Sequence, residues 1–148
     1  MLITYNYNEN ENMPFSWKKI QIDVGLSIKD SLKVLDSEGQ RLLLVVDENE
    51  RLCGVVTDGD IRRGILKGIS LDQPISTVMN CSPYVAKTTT LNSELKHNME
   101  QLGILAMPLV DENNIVIGLL DAKDVRLADK HENPVFLISA ARAKSLQL

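Results

Sequence analysis

Thr57, Asp60 and Arg62 are the residues of this 148-residue sequence whose types and spacing best suit ligand chemistry. They follow a predicted apolar strand, Leu52–Val56, and begin a predicted helix. A hydroxyl and a carboxylate on either side of such a turn can face one cleft and hydrogen-bond a ribose diol. The unpaired N–H groups and the positive dipole end of the helix suit a phosphate, and the arginine adds a positive charge. The spacing therefore predicts a nucleotide-binding site.

The same residues also have a purely structural interpretation. Thr-x-x-Asp is a common helix cap, and Asp58 or Asp60 can accept an N–H group that has no partner inside the helix. Such a cap contributes about 1 kcal/mol of stability and binds no ligand. Three apolar residues of this helix are expected on its inward side: Ile61, Ile65 and Leu66.

An internal repeat contains this pattern. The segment Gly118-Leu-Leu-Asp-Ala-Lys-Asp-Val-Arg126 repeats Gly54-Val-Val-Thr-Asp-Gly-Asp-Ile-Arg62, and it lies 64 residues further along the chain. The same spacing relates three more pairs: Gly39 with Gly103, Val46 with Val110, and Asp47 with Asp111. A register that is kept without slippage over this distance indicates two copies of one folding unit.

Each copy is predicted to have the element order β-α-β-β-α. Ser27-Ile-Lys-Asp30 is typical of a capping box that opens a helix, and Leu42–Val46 is an apolar strand of the kind buried on both faces. Each copy alone would expose one apolar sheet face, so we expect an α/β (α+β) fold in which the two pack around a pseudo-two-fold axis. The expected segments are a disordered tail (1–13), the first repeat (14–70), a linker (71–83), the second repeat (84–128) and a C-terminal tail (129–148).

The Gly-x-x-Thr-x-x-Asp pattern at a strand-to-helix turn resembles the signature of the CBS domain, the regulatory module named after cystathionine β-synthase. CBS domains occur as tandem pairs, and the resemblance covers about residues 14–128. It implies that Thr57 and Asp60 hold the ribose of an adenine nucleotide (AMP, ADP or ATP). Arg62 follows within the first helical turn, and its two interpretations are a phosphate contact and a solvated surface residue. The resemblance also implies a flat homodimer of two pairs, joined by apolar outer helices. The residues expected to contact the adenine are Val24, Leu43, Leu44 and Val45.

Two nucleotide sites of unequal strength are expected, in clefts between the repeats. In the second copy Asp121 takes the place of the threonine, although Asp124 keeps the place of the aspartate. Two carboxylates repel each other and an incoming phosphate, and the hydroxyl is missing. Met107 and Pro108 form the pair that often walls the adenine pocket in CBS domains. We therefore expect the first site to bind and the second to be weak or empty.

Composition limits the remaining classes of protein. A hydrophobic content of 44% supplies a core at this length, and no apolar run approaches the roughly 18 residues of a membrane span. The net charge of −4 and the pI of about 5.2 favour neither nucleic acid nor an acidic membrane as a partner. Cys53 and Cys81 indicate free thiols in a reducing compartment, so we expect a cytoplasmic protein. No catalytic pair or metal-ligand set is evident, and no cofactor is expected to be required.

The C-terminal tail suggests a partner. It is similar to the opening of sugar-nucleotide-forming nucleotidyltransferases, where a strand meets a loop of the form Gly-Gly-x-Gly-x-Arg-Leu, and tandem CBS modules are found fused ahead of that enzyme domain. The glycine positions of the loop hold Ala140, Ala141 and Ala143, and the arginine position holds Ser145. The loop therefore lacks the backbone freedom and the charge that phosphate binding needs. We expect a non-enzymatic module that regulates an attached or partner sugar-phosphate nucleotidyltransferase, and the competing hypothesis is a ligand-free dimerisation scaffold.

Overall fold

A computed structural model describes residues 17–38, 41–87, 90 and 92–122 of the chain. The first repeat begins with a 3-10 helix (Trp17–Ile20) and continues through β1 (Gln21–Asp23), α1 (Ile28–Glu38), β2 (Leu42–Val46), β3 (Leu52–Thr57) and α2 (Asp58–Leu66). A second 3-10 helix (Ile75–Thr77) follows. The second repeat contains β4 (Ala86–Lys87), α3 (Asn92–Leu102), β5 (Ala106–Val110) and β6 (Val116–Asp121).

Each repeat contains a three-stranded mixed sheet. In the first, β2 is central, parallel to β1 and antiparallel to β3. In the second, β5 is central, parallel to β4 and antiparallel to β6. The helix and the two hairpin strands of the second repeat begin 64 residues after their counterparts, and the register shift between Val45 and Val46 recurs between Leu109 and Val110.

These observations confirm the α+β fold and the tandem repeat. They describe the order β-α-β-β-α in the first repeat and β-α-β-β in the second. The predicted last helix of the second repeat lies beyond Ala122, outside the described residues. The packing of the repeats around a pseudo-two-fold axis stays a prediction.

One aspartate organises the hairpin turn of each repeat. Asp47 Oδ1 accepts the N–H groups of Asn49 (2.8 Å) and Arg51 (3.0 Å), and Glu50 between them has a positive φ of 61°. A short acceptor side chain that binds the backbone two residues on is a common way to stabilise a turn. In the second turn Asp111 Oδ1 accepts the N–H groups of Asn113 (2.8 Å) and Ile115 (3.0 Å), and Asn114 has a positive φ of 64°.

The core of the first repeat lies where α1 meets the sheet. Leu43, Leu44 and Val45 are fully buried, as a continuous apolar strand predicts. Ile28 and Leu35 are the buried apolar residues of α1. Burial of such a side chain stabilises the fold by about 1.5–3 kcal/mol. In the second repeat a corresponding cluster is formed by Ala86, Leu95, Met99, Met107, Leu109 and Leu120.

The predicted linker packs on the first repeat. The Ile28 N–H at the start of α1 donates to the Gln73 carbonyl at 2.9 Å, which satisfies a donor that has no partner inside the helix. Asn80 and Val55 exchange two backbone hydrogen bonds of 2.8 and 3.1 Å, and Ile75 is fully buried. The linker therefore belongs to the compact unit Lys18–Pro83, and the described residues from Tyr84 to Ala122 belong, with Trp17, to a second unit.

The inward face of α2 is narrower than predicted. Ile61 is buried, but Ile65 is 45% exposed and Leu66 is 80% exposed, so the expectation that all three face inward is wrong. The buried side of the helix instead continues to Gly64, three residues after Ile61, where a Cβ would collide with the side chain of Val78. Ile65 and Leu66 therefore lie off this side of the helix.

Candidate ligand-binding site

Thr57 ends β3 and is the N-cap of α2. Its Oγ1 accepts the N–H of Asp60 at 3.3 Å, and Asp60 Oδ2 accepts the N–H of Thr57 at 2.9 Å. This reciprocal pair is a capping box, which satisfies two backbone donors at the helix start. Asp58 is the first helical residue and not the cap, whereas Asp60 accepts a backbone N–H group as expected and completes the box with Thr57.

Both oxygens of the Asp60 carboxylate are engaged. Thr57 Oγ1 donates to Oδ2 at 2.9 Å, and Arg63 Nη2 donates to Oδ1 at 2.7 Å. The Asp60 side chain is 20% exposed and lies in the first turn of α2, where the helix dipole favours a negative charge. A ligand hydroxyl at this carboxylate would add to these bonds through a remaining lone pair or replace one of them.

The charge of Arg62 is already balanced on its own helix. Its Nη2 lies 2.6 Å from Asp58 Oδ2, with both side chains more than half exposed. An exposed pair of this kind contributes at most about 1 kcal/mol. A phosphate bound by Arg62 would therefore compete with Asp58.

An open cleft of about 750 Å³ borders the start of α2. One side is formed by α1 and is largely apolar, and the other contains the Thr57 residue and the first turn of α2. A concave site with an apolar wall and a few polar groups is the usual form of a small-molecule site. The lining residues are Leu32, Leu35, Asp36, Arg41, Thr57, Asp58 and Gly59.

The four residues predicted to contact adenine lie elsewhere in the first repeat. Leu43, Leu44 and Val45 are in β2 with fully buried side chains. Val24 follows β1, is half-buried, and donates its N–H to the Val46 carbonyl at 2.9 Å. None of the four lines the cleft beside Thr57, where Leu32 and Leu35 supply the apolar surface instead. The contact of these four residues with adenine stays a prediction.

The second repeat has a smaller cleft at the equivalent place. Its volume is about 170 Å³, and five of its lining residues stand 64 positions after lining residues of the first cleft. In the order of the first cleft's Leu32, Leu35, Asp36, Arg41 and Asp58, these are Lys96, Met99, Glu100, Leu105 and Ala122. The two repeats therefore form the same cleft with different side chains.

The predicted residues of the second site are only partly described. Met107 and Pro108 are buried in β5, opposite Leu120 and Leu119. The backbone of Asp121 pairs with that of Ala106, whereas its side chain and the whole of Asp124 lie outside the described part of the structure. The weakness of this site stays a prediction.

Arg41 and Asp36 line the cleft but were not predicted from the sequence. For Arg41 the pairing of the hairpin strands indicates this position. The hairpin register pairs Leu42 with Thr57, so the residue before β2 must lie beside the first residue of α2. That register follows from the turn at Asp47. Asp36 stands one residue after the buried Leu35, so no helical period marks it as a cleft residue.

Across the described ranges, no three His, Cys, Asp or Glu residues are grouped so that they could hold a metal ion. Cys53 and Cys81 are free, and burial raises the pKa of the Cys53 thiol, which disfavours the reactive thiolate. No helix within these ranges has both the length and the apolar character needed to cross a bilayer.

The fold and the cleft define a tandem α+β module with an open cleft beside a strand-to-helix turn. The family model of the CBS domain matches the chain twice, at residues 16–67 and 75–131. These matches cover most of the sequence. The chain therefore belongs to the CBS domain family, and its two repeats are a CBS pair.

Solved CBS structures share this fold. CBSX2 in complex with AMP has 23% identity and a TM-score of 0.63, over 80% of this chain and 98% of that chain. The CBS domain pair of protein MJ0100, in complex with 5′-methylthioadenosine and S-adenosyl-L-methionine, has 20% identity and a TM-score of 0.62, over 82% and 100%. The CBS domains of a transcriptional regulator from Streptococcus pneumoniae have 20% identity and a TM-score of 0.64, over 74% and 89%.

Curated relatives of the chain include two sugar-phosphate isomerases. Arabinose 5-phosphate isomerase GutQ of Salmonella typhi is 31% identical over 104 residues, which are 70% of this chain and 32% of that protein. Arabinose 5-phosphate isomerase KdsD of Pseudomonas aeruginosa is 31% identical over 106 residues, 71% and 32% of the two chains. The chain thus spans about a third of the length of these relatives. Neither is a nucleotidyltransferase, and the predicted link to that enzyme class stays a prediction.

Proposed function

We propose that the chain is a regulatory module that binds an adenine nucleotide beside the Thr57–Asp60 capping box and passes the bound state to a sugar-phosphate enzyme. The observation that carries the proposal is the cleft of about 750 Å³ at the start of α2. Its edge combines the Thr57 hydroxyl, hydrogen-bonded to the Asp60 carboxylate, with the positive end of the helix dipole. A ribose and a phosphate need these two kinds of group.

Three structural neighbours support the ligand class. CBSX2 is in complex with AMP, protein MJ0100 with 5′-methylthioadenosine and S-adenosyl-L-methionine, and the cytosolic domain of the Mg²⁺ channel MgtE with ATP. All of these ligands contain adenine joined to a ribose ring. An adenine nucleotide is therefore the ligand that we assign to this chain.

Regulation follows from a difference in affinity between conformations. A ligand that contacts both repeats would stabilise one relative packing of them, by as much as it prefers that packing over others. A nucleotide at about 100 times its dissociation constant stabilises the state that binds it by about 2.7 kcal/mol. A free energy of this size corresponds to about a 100-fold shift in the equilibrium between the two conformations.

The regulated enzyme acts on a sugar phosphate. The relatives GutQ and KdsD are arabinose 5-phosphate isomerases, which favours an isomerase domain or subunit as the partner. The similarity of residues 129–148 to nucleotidyltransferases favours the other candidate, and these residues lie outside the described part of the chain. We assign the module itself a regulatory and not a catalytic role, and we place it in the cytoplasm, where adenine nucleotides are available.

We also propose that two chains form a homodimer. Ile65 and Leu66 expose apolar side chains on the last turn of α2, and Leu102 and Leu105 expose theirs at the end of α3 and just after it. Burial of such surface between two copies is the usual source of dimer stability. Light scattering of the chain and of its Leu66→Glu variant tests this, because a charge on the shared surface should yield monomers.

A scaffold without a ligand is the second candidate function. The capping box supports it, because Thr57 and Asp60 already satisfy each other and the helix start without a bound molecule. In that case the cleft would bind no ligand in the cell, and the function would depend on dimer formation through the exposed apolar residues.

Calorimetric titration of the chain with AMP, ADP, ATP, GTP and S-adenosylmethionine separates these functions. The proposed function predicts binding of at least one adenine nucleotide in the micromolar range, with close to one site per chain and weaker binding of GTP. A stable dimer that binds none of these ligands would establish the scaffold instead.

A further inference from the structure

Arg41 is the one basic residue among those that line the first cleft, and it forms no ion pair with any residue that the structure describes. Within the described part of the chain, Arg62 and Arg63 are each paired with a carboxylate of their own helix, Asp58 and Asp60, whereas no carboxylate lies within ion-pair distance of Arg41. An anion that binds Arg41 therefore breaks no ion pair with a described residue. Its guanidinium has five N–H donors in a planar fork that matches two phosphate oxygens.

The position of Arg41 brings it to the start of α2. It directly precedes β2, whose first residue, Leu42, pairs with Thr57 across the hairpin. The positive end of the α2 dipole and the guanidinium therefore belong to one end of the cleft, and both favour a negative charge there. Asp58 also lines the cleft, but Arg62 offsets its charge.

The cleft also has an acidic residue whose charge is not offset by an ion pair with a described residue. Asp36 of α1 lines the cleft and forms no ion pair with any described residue. A carboxylate accepts hydrogen bonds from hydroxyl groups and repels phosphate. A ligand with its hydroxyl groups toward α1 and its phosphate toward Arg41 satisfies both residues.

The second repeat provides a natural comparison. At the position equivalent to Arg41 its cleft has Leu105, whose side chain is 63% exposed. The strands on either side of this position, β5 and β6, pair with the same register as β2 and β3. At this position the two clefts therefore have the same backbone register, but the first has a positively charged side chain and the second an apolar one.

We propose that Arg41 is the specificity-determining residue of the first cleft, which selects adenine ligands that carry a phosphate over those that do not. This inference rests on the proposed function, since it takes the cleft as the nucleotide site. It assigns the phosphate to Arg41 and leaves the predicted Arg62 to its ion pair with Asp58.

The test compares AMP with adenosine, which differ by the phosphate alone. Calorimetric titration of the wild-type chain should give tighter binding of AMP than of adenosine, and added salt should weaken only the binding of AMP. Arg41→Leu introduces the residue that the second repeat has at this place. A hydrogen bond to a charged group is worth about 1.5–3 kcal/mol, so AMP affinity should fall about 10- to 100-fold while adenosine affinity stays unchanged.

Arg51→Leu is the matched control, because Arg51 is an exposed arginine of the same repeat that does not line the cleft. It should leave both affinities unchanged. An Arg41→Leu variant that keeps the preference for AMP, or that loses AMP and adenosine equally, would overturn the assignment of Arg41 while leaving the nucleotide site in place. A wild-type chain that binds neither ligand would instead overturn the proposed function, and the role of Arg41 with it.

Discussion

Arg41 and Thr57 of the first repeat stand where the second repeat has Leu105 and Asp121, although the strands around them begin, end and pair at equivalent positions. The residues that keep the backbone the same are apolar strand residues and the turn aspartates. Of the residues that differ, Arg41, Thr57 and Leu105 line the two clefts. The residues that fix the strand pairing are therefore separate from these cleft residues, and the side chains of a cleft can differ while the strand register stays the same.

The largest expected effect concerns the anchoring of the linker in the first repeat. A Cβ added at Gly54 would lie 2.5 Å from the Asn80 carbonyl oxygen, a backbone atom held by the pairing of Asn80 with Val55. Gly54→Ala should therefore lower the free energy of unfolding by about 1–3 kcal/mol, the usual cost of overpacking. Urea unfolding measures this.

Gly59→Ala is the control for that variant. At Gly59, which is in α2, a Cβ would meet only the end of the flexible Arg63 side chain, at 3.2 Å. Alanine is preferred to glycine inside a helix by about 1 kcal/mol, so this change should raise stability. Equal stability losses in the two variants would show that the linker contact is unimportant.

A smaller effect, on AMP affinity, is expected when Thr57 of the first site is replaced by aspartate, the residue that the second repeat has at the equivalent position 121. Thr57→Asp removes a hydroxyl and places a carboxylate beside that of Asp60. The lost hydrogen bond and the like-charge repulsion are each worth about 1 kcal/mol, so AMP affinity should fall about tenfold or more. Calorimetry measures the affinity, and Thr57→Ser, which keeps the hydroxyl, should bind as the wild type does. Undiminished binding by Thr57→Asp would mean that Asp121 does not weaken the second site.

The smallest effect is expected at the second site. Asp124→Ala should leave AMP affinity nearly unchanged, because Asp121 has already replaced the hydroxyl there. Titration of this variant beside a first-repeat variant identifies the site in use. Loss of binding in Asp124→Ala, with tolerance of change at Thr57, would reverse the assignment of the two sites.

Much of the fold could be predicted from the sequence because the repeat gives each strong signal twice. Three features recur 64 residues later: the run Leu42–Val46, the turn aspartate and the helix beginning at Ile28. A pattern that occurs in both copies rarely arises by chance, so the repeat supports each assignment. The end of α2 was less predictable. Ile65 continues an apolar helical pattern, but Gly64, whose lack of a side chain admits Val78, occupies the buried side.

The site was predicted less completely than the fold. Thr57 and Asp60 were identified because a motif names them, and the structure places them in one capping box. Arg41, Asp36 and Leu32 carry no motif, and they reach the cleft only through the hairpin register and the packing of α1 beside α2. The packing of α1 beside α2 has no local sequence signal, whereas the hairpin register that brings Arg41 to the cleft follows from the turn at Asp47.

The central claim is that the Thr57–Asp60 box holds a ligand as well as a helix end, and Asp60→Asn tests it most directly. The amide oxygen can still accept the Thr57 N–H, so the box is kept, while the ion pair with Arg63, worth at most about 1 kcal/mol, is lost. The melting temperature without ligand should change little. Removal of a charged acceptor should weaken nucleotide binding about 10- to 100-fold, as measured by calorimetry. A variant that melts and binds as the wild type does would show that Asp60 is a helix cap alone.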